Sequence, residues 1–231
     1  MEKVHFRISQ SVGRISFDDA KANAMNPTFF QELHSALDHM EKHRVEVLVL
    51  SGRDKIFCAG LDLKHLAAIE PQDNARFTQM FARTMLRLFT FPIPTIAVAS
   101  GHAIAGGCIL AMACDYRIIQ NGDYRIQMNE IRNNMSVPKW MSLISEHAIP
   151  SHRMTEFILH ARAYTPEEAF KLELVHELHE TREALDAAVN VKIDDLRELD
   201  SKSYAITKKW TRNSKSEKAL SHLKDVQAIN Y

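Results

Sequence analysis

The sequence predicts an α/β fold with a parallel sheet component, followed by a charge-rich helical region. Three observations predict it. Short buried runs such as Val45-Glu46-Val47-Leu48-Val49-Leu50 and Thr95-Ile96-Ala97-Val98-Ala99 read as strands. Segments with helical apolar spacing alternate with them, the pattern of strands joined by crossover helices. From about Thr165 the chain reads as helical and charged. We therefore expect a core over residues 1–164 and a helical region over residues 165–231.

The elements follow in order. Strands are expected at residues 4–9 and 14–17, around a turn at Gly13. Asn26-Pro27 has the form of an N-cap followed by proline at the first helical position. Phe30, Leu33, Leu37 and Met40 then recur at helical spacing, so residues 27–43 are expected to form an amphipathic helix. A strand over 45–50 gives way to a loop over 51–60. Phe77, Met80, Phe81, Met85, Leu86 and Leu88 mark a helix over 73–90, and Phe91-Pro92-Ile93-Pro94 stops it. After the strand at 95–99, residues 101–107 read as a turn and 108–114 as a helix of small residues. Short strands are expected at 116–119 and 124–127, joined through Asn121-Gly122-Asp123. From Pro138 onward the pattern is helical, with Trp210, Leu220 and Leu223 as apolar anchors.

Composition narrows the function. Hydrophobic residues make up 45% and charged residues 25%, enough apolar content for a proper core. Lys and Arg total 29 against 29 Asp and Glu, so no surplus positive charge favours nucleic acid or an anionic membrane. Three cysteines, Cys58, Cys108 and Cys114, do not make a disulfide framework and suit a reducing compartment. The stretch 95–113 is apolar, but Ser100, His102 and its glycines mark strand, turn and helix, not a membrane span. The opening Met1-Glu2-Lys3-Val4-His5-Phe6 is not a signal or transit segment, and Ala228-Ile229-Asn230-Tyr231 is no peroxisomal ending. The expectation is a cytoplasmic protein. No His-Glu-x-x-His spacing or similar set points to a metal.

Three segments at strand ends could carry chemistry. Phe57-Cys58-Ala59-Gly60-Leu61-Asp62-Leu63 has small residues that let a ligand approach the backbone, with N–H groups free to donate. Taken alone it is more often a simple strand-to-helix turn. Gly101-His102-Ala103-Ile104-Ala105-Gly106-Gly107-Cys108 opens a helix, whose first N–H groups attract negative charge. Its glycine spacing matches neither the dinucleotide nor the P-loop fingerprint, and a tight strand–helix joint explains it equally. Glu130, after Tyr124-Arg125-Ile126-Gln127-Met128-Asn129, is either a general base or a charge favouring a helix dipole. For an isolated glutamate the second is several times commoner. His102 reads as a hydrogen-bonded packing histidine, Asp62 as a helix cap, and Asp115 as a local backbone partner. No cysteine stands beside a histidine–carboxylate pair, which speaks against thiol catalysis.

Together these segments resemble the crotonase (enoyl-CoA hydratase/isomerase) superfamily. Residues 57–63 are similar to its first motif and residues 101–118 to its second, in that order. Lys21-Ala22-Asn23-Ala24-Met25-Asn26 resembles the early segment that lies against coenzyme A. Tyr164-Thr165-Pro166-Glu167-Glu168-Ala169 with Leu172 to Val175 resembles a later helix pair. The resemblance implies a spiral of ββα units with a C-terminal helical trimerisation region, and a homotrimer or hexamer. It also implies an acyl-CoA thioester substrate and no separate cofactor, coenzyme A entering as part of the substrate. Implied roles fall on the backbone N–H groups of Leu61 and Gly106 as oxyanion donors and on Glu130 as acid/base. Lys21, Ala22, Ala24, Ala59, Gly60, Asp62, Leu63 and Ile109 are the implied substrate and CoA contacts.

Two departures matter. The family's hydratases carry a second glutamate at the position of Ile109, and isoleucine can neither hold nor deprotonate water. Glu130 after Asn129, with Pro138-Lys139-Trp140 beyond, resembles the mitochondrial-type Δ3,Δ2-enoyl-CoA isomerase branch. The resemblance thus implies isomerisation ahead of hydration, hydrolysis, decarboxylation or binding without turnover. Arg132, Asn133 and Asn134 replace small apolar residues after the glutamate, and family glycines are missing at His160-Ala161 and at Glu173. The helical region is short for the family, so that part of the cap over CoA is expected to be absent or supplied by a neighbouring subunit.

Overall fold

Strands β1 (Val4–Ser9) and β2 (Val12–Phe17) open the chain as an antiparallel hairpin in this computed structural model, which describes residues 2–221 and 223. Ser9 pairs with Val12, so the reversal consists of Gln10 and Ser11, both at positive φ (50° and 61°). Two central residues with positive φ match the right-handed twist of the flanking strands. The turn expected at Gly13 is corrected. Gly13 lies inside β2, where a Cβ would stand 2.5 Å from Met40 Sδ on helix α1 (Pro27–Lys42). Asn26 caps α1 by accepting from the Phe29 amide at 3.1 Å, and Phe29, Phe30, Leu33, Ala36, Leu37 and Met40 form its buried face.

The middle of the chain repeats one plan. A strand enters the first sheet, the next strand enters a second sheet, and a helix follows. The pairs are β3 (Val47–Ser51) with β4 (Lys55–Cys58), β5 (Thr95–Ala99) with β6 (Gly101–Ile104), and β7 (Tyr116–Gln120) with β8 (Ile126–Gln127). Helices α2 (Leu63–Ala68) and α3 (Pro71–Phe89) follow the first pair, and α4 (Gly106–Met112) follows the second. Past Glu130 come α5 (Lys139–Ala148), β9 (Ala163–Tyr164), α6 (Pro166–Lys171), β10 (Glu177–His179), α7 (Arg182–Arg197) and α8 (Ser201–Ser221). The six-stranded sheet has the order β1-β2-β3-β5-β7-β10 and is parallel from β2 onward. The four-stranded sheet has the order β4-β6-β8-β9, with β9 antiparallel to β8. The α/β class and ββα spiral expected from sequence are observed.

Two expected loops contain strands. Residues 51–60 hold β4 and residues 101–107 hold β6, and these two pair in parallel. A Cβ at Gly101 would stand 1.9 Å from the Lys55 carbonyl carbon, so the glycine permits the pairing. Likewise the helical run expected from Pro138 is interrupted by β9 and β10, too short to imprint a periodicity. Because β10 extends the six-stranded sheet beside β7, the chain beyond residue 164 contributes to the core.

Helix α7 lays Leu185, Val189 and Ile193 on the outer face of that sheet, against Val47, Val49, Ile96 and Ile118. Helix α8 is held by charge. Lys208 Nζ and Arg212 Nη2 lie 2.7 and 2.8 Å from the two Asp115 oxygens, and they donate to the carbonyls of Ile93 and Phe89. Asp115 also accepts from the Thr95 amide, 2.8 Å away. Burial alone would raise the Asp115 carboxyl, but Lys208 and Arg212 outweigh it and hold it below the ordinary range. Trp210 is not an anchor: it is 76% exposed, because the buried stripe of α8 runs through Lys208, Arg212, Ser216 and Ala219. Leu223 is buried and Leu220 packs on the core, as expected. The segment 228–231 lies outside the described residues.

Candidate active site

The first two motifs meet backbone to backbone. Gly60 has φ 86°, and a Cβ there would lie 2.9 Å from the Ala105 Cβ and 3.0 Å from the Gly106 nitrogen. Only glycine combines that φ with that approach. The Met25 amide donates to the Gly60 carbonyl at 2.8 Å, and the Asp62 amide donates to the Met25 carbonyl at 2.8 Å. A trans peptide points its C=O and N–H in opposite directions. The Leu61 N–H therefore aims away from Met25. Gly106 begins α4, so its N–H belongs to the first turn, which has no intrahelical acceptor. Ala105, just before it, holds φ 50° and ψ −123°, a conformation costly for a residue with a Cβ. Its amide is fixed to the Gln127 carbonyl at 2.7 Å.

Leu61 and Gly106 line one cleft together with Glu130. Glu130 precedes a 3-10 turn over Ile131–Asn133, and its carbonyl accepts from the Asn133 and Met135 amides at 2.9 Å each. The residue is 5% exposed, and Oε2 is buried with no hydrogen-bond partner among the described residues. Burial pushes the carboxyl up to about 7, which a backbone amide only partly counters. Both protonation states are then accessible near neutrality, as a proton shuttle requires. The cleft encloses about 70 Å³, the room of two or three waters. Apolar side chains dominate its wall. Phe81 stands against Gly106, where a Cβ would be 2.8 Å from the ring, and Trp140 backs Phe81 edge-on at 4.9 Å.

The described cysteines offer no alternative nucleophile. Burial pushes the Cys58 and Cys114 thiols up to about 12 and raises Cys108 too. Cys58 donates to the Asn23 carbonyl. Among the described residues no cluster of three His, Cys, Asp or Glu is placed to hold a metal ion. No described helix is long and apolar enough to cross a membrane.

With this geometry in place, the comparisons with known proteins are decisive for the family. The model of the family described as enoyl-CoA hydratase/isomerase matches residues 7–229. The chain belongs to this family. The crotonase resemblance is thus borne out. The rat mitochondrial enoyl-CoA delta isomerase 1 is 31% identical over 168 residues, covering 71% of this chain and 58% of the rat protein, a little over half its length. The human mitochondrial delta3-delta2-enoyl-CoA isomerase structure superposes with a TM-score of 0.92 at 23% identity, over 97% of this chain and 89% of that one. An enoyl-CoA hydratase from Bacillus halodurans superposes at 0.85 and 22% identity, over 96% and 91%. Isomerase and hydratase share the fold, so the fold leaves the reaction open.

The structure brings Ala59, Leu61, Leu63, Gly106 and Glu130 to one cleft, and Gly60 joins them at the contact between loops. Asp62 is a cap, accepting from the Lys64 and His65 amides at 3.0 and 3.3 Å. Ile109 does not reach the cleft wall. It is fully buried within the hydrophobic core. Lys21, Ala22 and Ala24 also lie off that wall, beside the first motif. The Ala22 carbonyl accepts from the Ala59 amide, the Ala24 carbonyl from Lys3 Nζ, and Lys21 is exposed. Asn23, unremarked in the sequence, clamps this segment by donating to the Phe17 and Phe57 carbonyls at 2.9 and 3.1 Å. His102 is a packing histidine that accepts from the Arg125 amide. Sequence reasoning missed Phe81, Leu66, Met135, Ser136 and Met141 as cleft residues. Phe81 and its neighbours were legible only as the apolar face of a helix. Arg132 turns away from the cleft, donating to the Ala161 carbonyl, whereas Asn133 lines it.

Proposed function

We propose that this chain is a Δ3,Δ2-enoyl-CoA isomerase that uses Glu130 as its single acid/base. One observation carries the proposal: among the described residues lining the cleft, Glu130 is the sole titratable side chain. Hydration needs a held, activated water and a proton for carbon 2. A second carboxylate would supply this, and the wall offers none. Double-bond migration needs one base. The Glu130 carboxylate takes a proton from carbon 2, and the electrons move into the thioester carbonyl to give a dienolate. Its oxygen is held by the N–H groups of Leu61 and Gly106, each such donor being worth about 10²–10³ in rate. The Glu130 acid then returns the proton to carbon 4, and the double bond closes between carbons 2 and 3. Nothing is consumed, so no cofactor enters apart from the coenzyme A of the substrate.

The test is direct turnover of a 3-enoyl-CoA to the 2-enoyl-CoA, absent or reduced at least about 10²-fold in Glu130→Gln. An unchanged rate removes Glu130 from the mechanism. Asn129, Asn133 and Ser136 on the wall favour one second reading, hydrolysis or hydration of a polar acyl-CoA. It is recognised by release of free CoA or of a 3-hydroxyacyl product from the same assay. We further propose a homotrimer or hexamer working in the cytoplasm. Leu199, Ile206 and Trp210 present exposed apolar surface along and just before α8, which supports assembly there. A monomeric mass by light scattering would overturn that part.

A further inference from the structure

The cleft shares part of its wall with a second cavity of different chemistry. An open groove of about 590 Å³ is lined by Arg125, Gln127, Asn129, Arg132, Asn133 and Ala163. Asn129 and Asn133 belong to both walls, so the groove adjoins the space around Glu130 at this pair. Arg132 is built into place. Its Nε donates to the Ala161 carbonyl at 2.8 Å and its Nη2 reaches the His160 carbonyl at 3.4 Å. Gln127 Nε2 donates to the same Ala161 carbonyl at 2.8 Å. Ala161 presents that carbonyl from a left-handed conformation, φ 47°. The guanidinium is thereby oriented, yet neither Arg132 nor Arg125 forms an ion pair among the described residues.

The space around Glu130 is small, about 70 Å³. An acyl chain that outgrows this space and passes Asn129 and Asn133 meets Arg125 and Arg132. A methyl-ended chain gains nothing there and displaces water from charged groups. A chain ending in a carboxylate finds an oriented fork geometry suited to it. Resting on the acyl-CoA reading above, we propose that Arg132, assisted by Arg125, selects acyl-CoA thioesters whose far end carries a carboxylate. The substrate class is then the mono-CoA thioesters of unsaturated dicarboxylic acids.

The experiment compares pairs of CoA thioesters of equal length, one carboxylate-ended and one methyl-ended. Binding is read by calorimetry with saturated analogues, and turnover by kcat/KM with the 3-enoyl forms. Wild type is expected to favour the carboxylate-ended member by about 10–100-fold, the range for a hydrogen bond to a charged group. The ratio should fall toward one in Arg132→Met and remain partly elevated in Arg132→Lys, which keeps the charge without the fork. A carboxylate capped as its methyl ester should behave as the methyl-ended member. A wild-type ratio near one, or a ratio untouched by Arg132→Met, overturns the proposal. Because calorimetry needs no reaction, failure of turnover with every thioester would count against the isomerase and leave the binding ratio to decide this inference.

Discussion

Replacing Glu130 by glutamine should change stability in a pH-dependent manner. The carboxyl is raised from 4.5 to about 7 by burial. A carboxyl whose folded value lies above its unfolded value binds protons more tightly when folded. The sign follows: the native state carries no penalty below the unfolded value. The penalty then grows as pH rises from 4.5 to about 7, and is complete above that. Its size at mildly alkaline pH is about 3 kcal/mol, from 1.36 kcal/mol per pH interval. Glu130→Gln removes the charge and keeps the shape. The variant should therefore be more stable than wild type by up to about 3 kcal/mol well above neutrality, and nearly equal to it near pH 4. Urea midpoints measured at both pH values give the difference. Groups that titrate the same way in both proteins cancel, including His147 and His176, which burial depresses to about 4. Turnover by wild type should rise as pH passes through about 7, where Glu130 becomes the base. An equal stability difference at both pH values would refute the reasoning, because it would place Glu130 in contact with water.

Three further predictions follow from other parts of the fold. Asp115→Ala leaves Lys208 and Arg212 buried without their anion and should destabilise by about 3–5 kcal/mol. Chemical denaturation reads it, and a loss under about 1 kcal/mol would show that α8 is held by other contacts. Glu173→Gly should stabilise by about 1 kcal/mol, since Glu173 takes φ 59° just past the end of α6, where an acidic side chain also opposes the helix dipole. A lowered thermal midpoint would contradict it. Gly60→Ala should abolish most turnover, about 10²-fold or more, because the new Cβ crowds the Gly106 nitrogen. Wild-type rates from a folded variant would separate that contact from catalysis.

Much of this was legible in the chain because single residues dictated local structure. Asn26-Pro27 announced the start of α1, and the spacing of Phe30, Leu33, Leu37 and Met40 announced its buried face. The two small-residue motifs located the loops that meet at Gly60 and Gly106. Strands β4 and β6 were hidden because Lys-Ile-Phe-Cys and Gly-His-Ala-Ile carry no β-branched run, and pairing between them supplies what local preference lacks. The hairpin turn was misplaced because Gly13 is glycine for packing against Met40, not for turning. Trp210 misled in the opposite sense, since α8 buries charged side chains paired with Asp115 and exposes its tryptophan. The missing family glycines were visible in the sequence. That Ala161 and Glu173 nevertheless keep positive φ was not, because neither alanine nor glutamate favours that conformation. The environment of Glu130 depended on the converging walls of α3, α4 and α5, which sequence order could not bring together.

The proposed isomerisation requires one carboxyl group to move a hydrogen along the acyl chain while two main-chain amides hold the thioester oxygen. Incubating the protein with a 3-enoyl-CoA deuterated at carbon 2, in ordinary water, follows that hydrogen. Formation of 2-enoyl-CoA with part of the deuterium carried to carbon 4 by wild type, and no transfer by Glu130→Gln, is the predicted result. A 3-hydroxyacyl-CoA, free CoA, or label transfer that survives the substitution would contradict it.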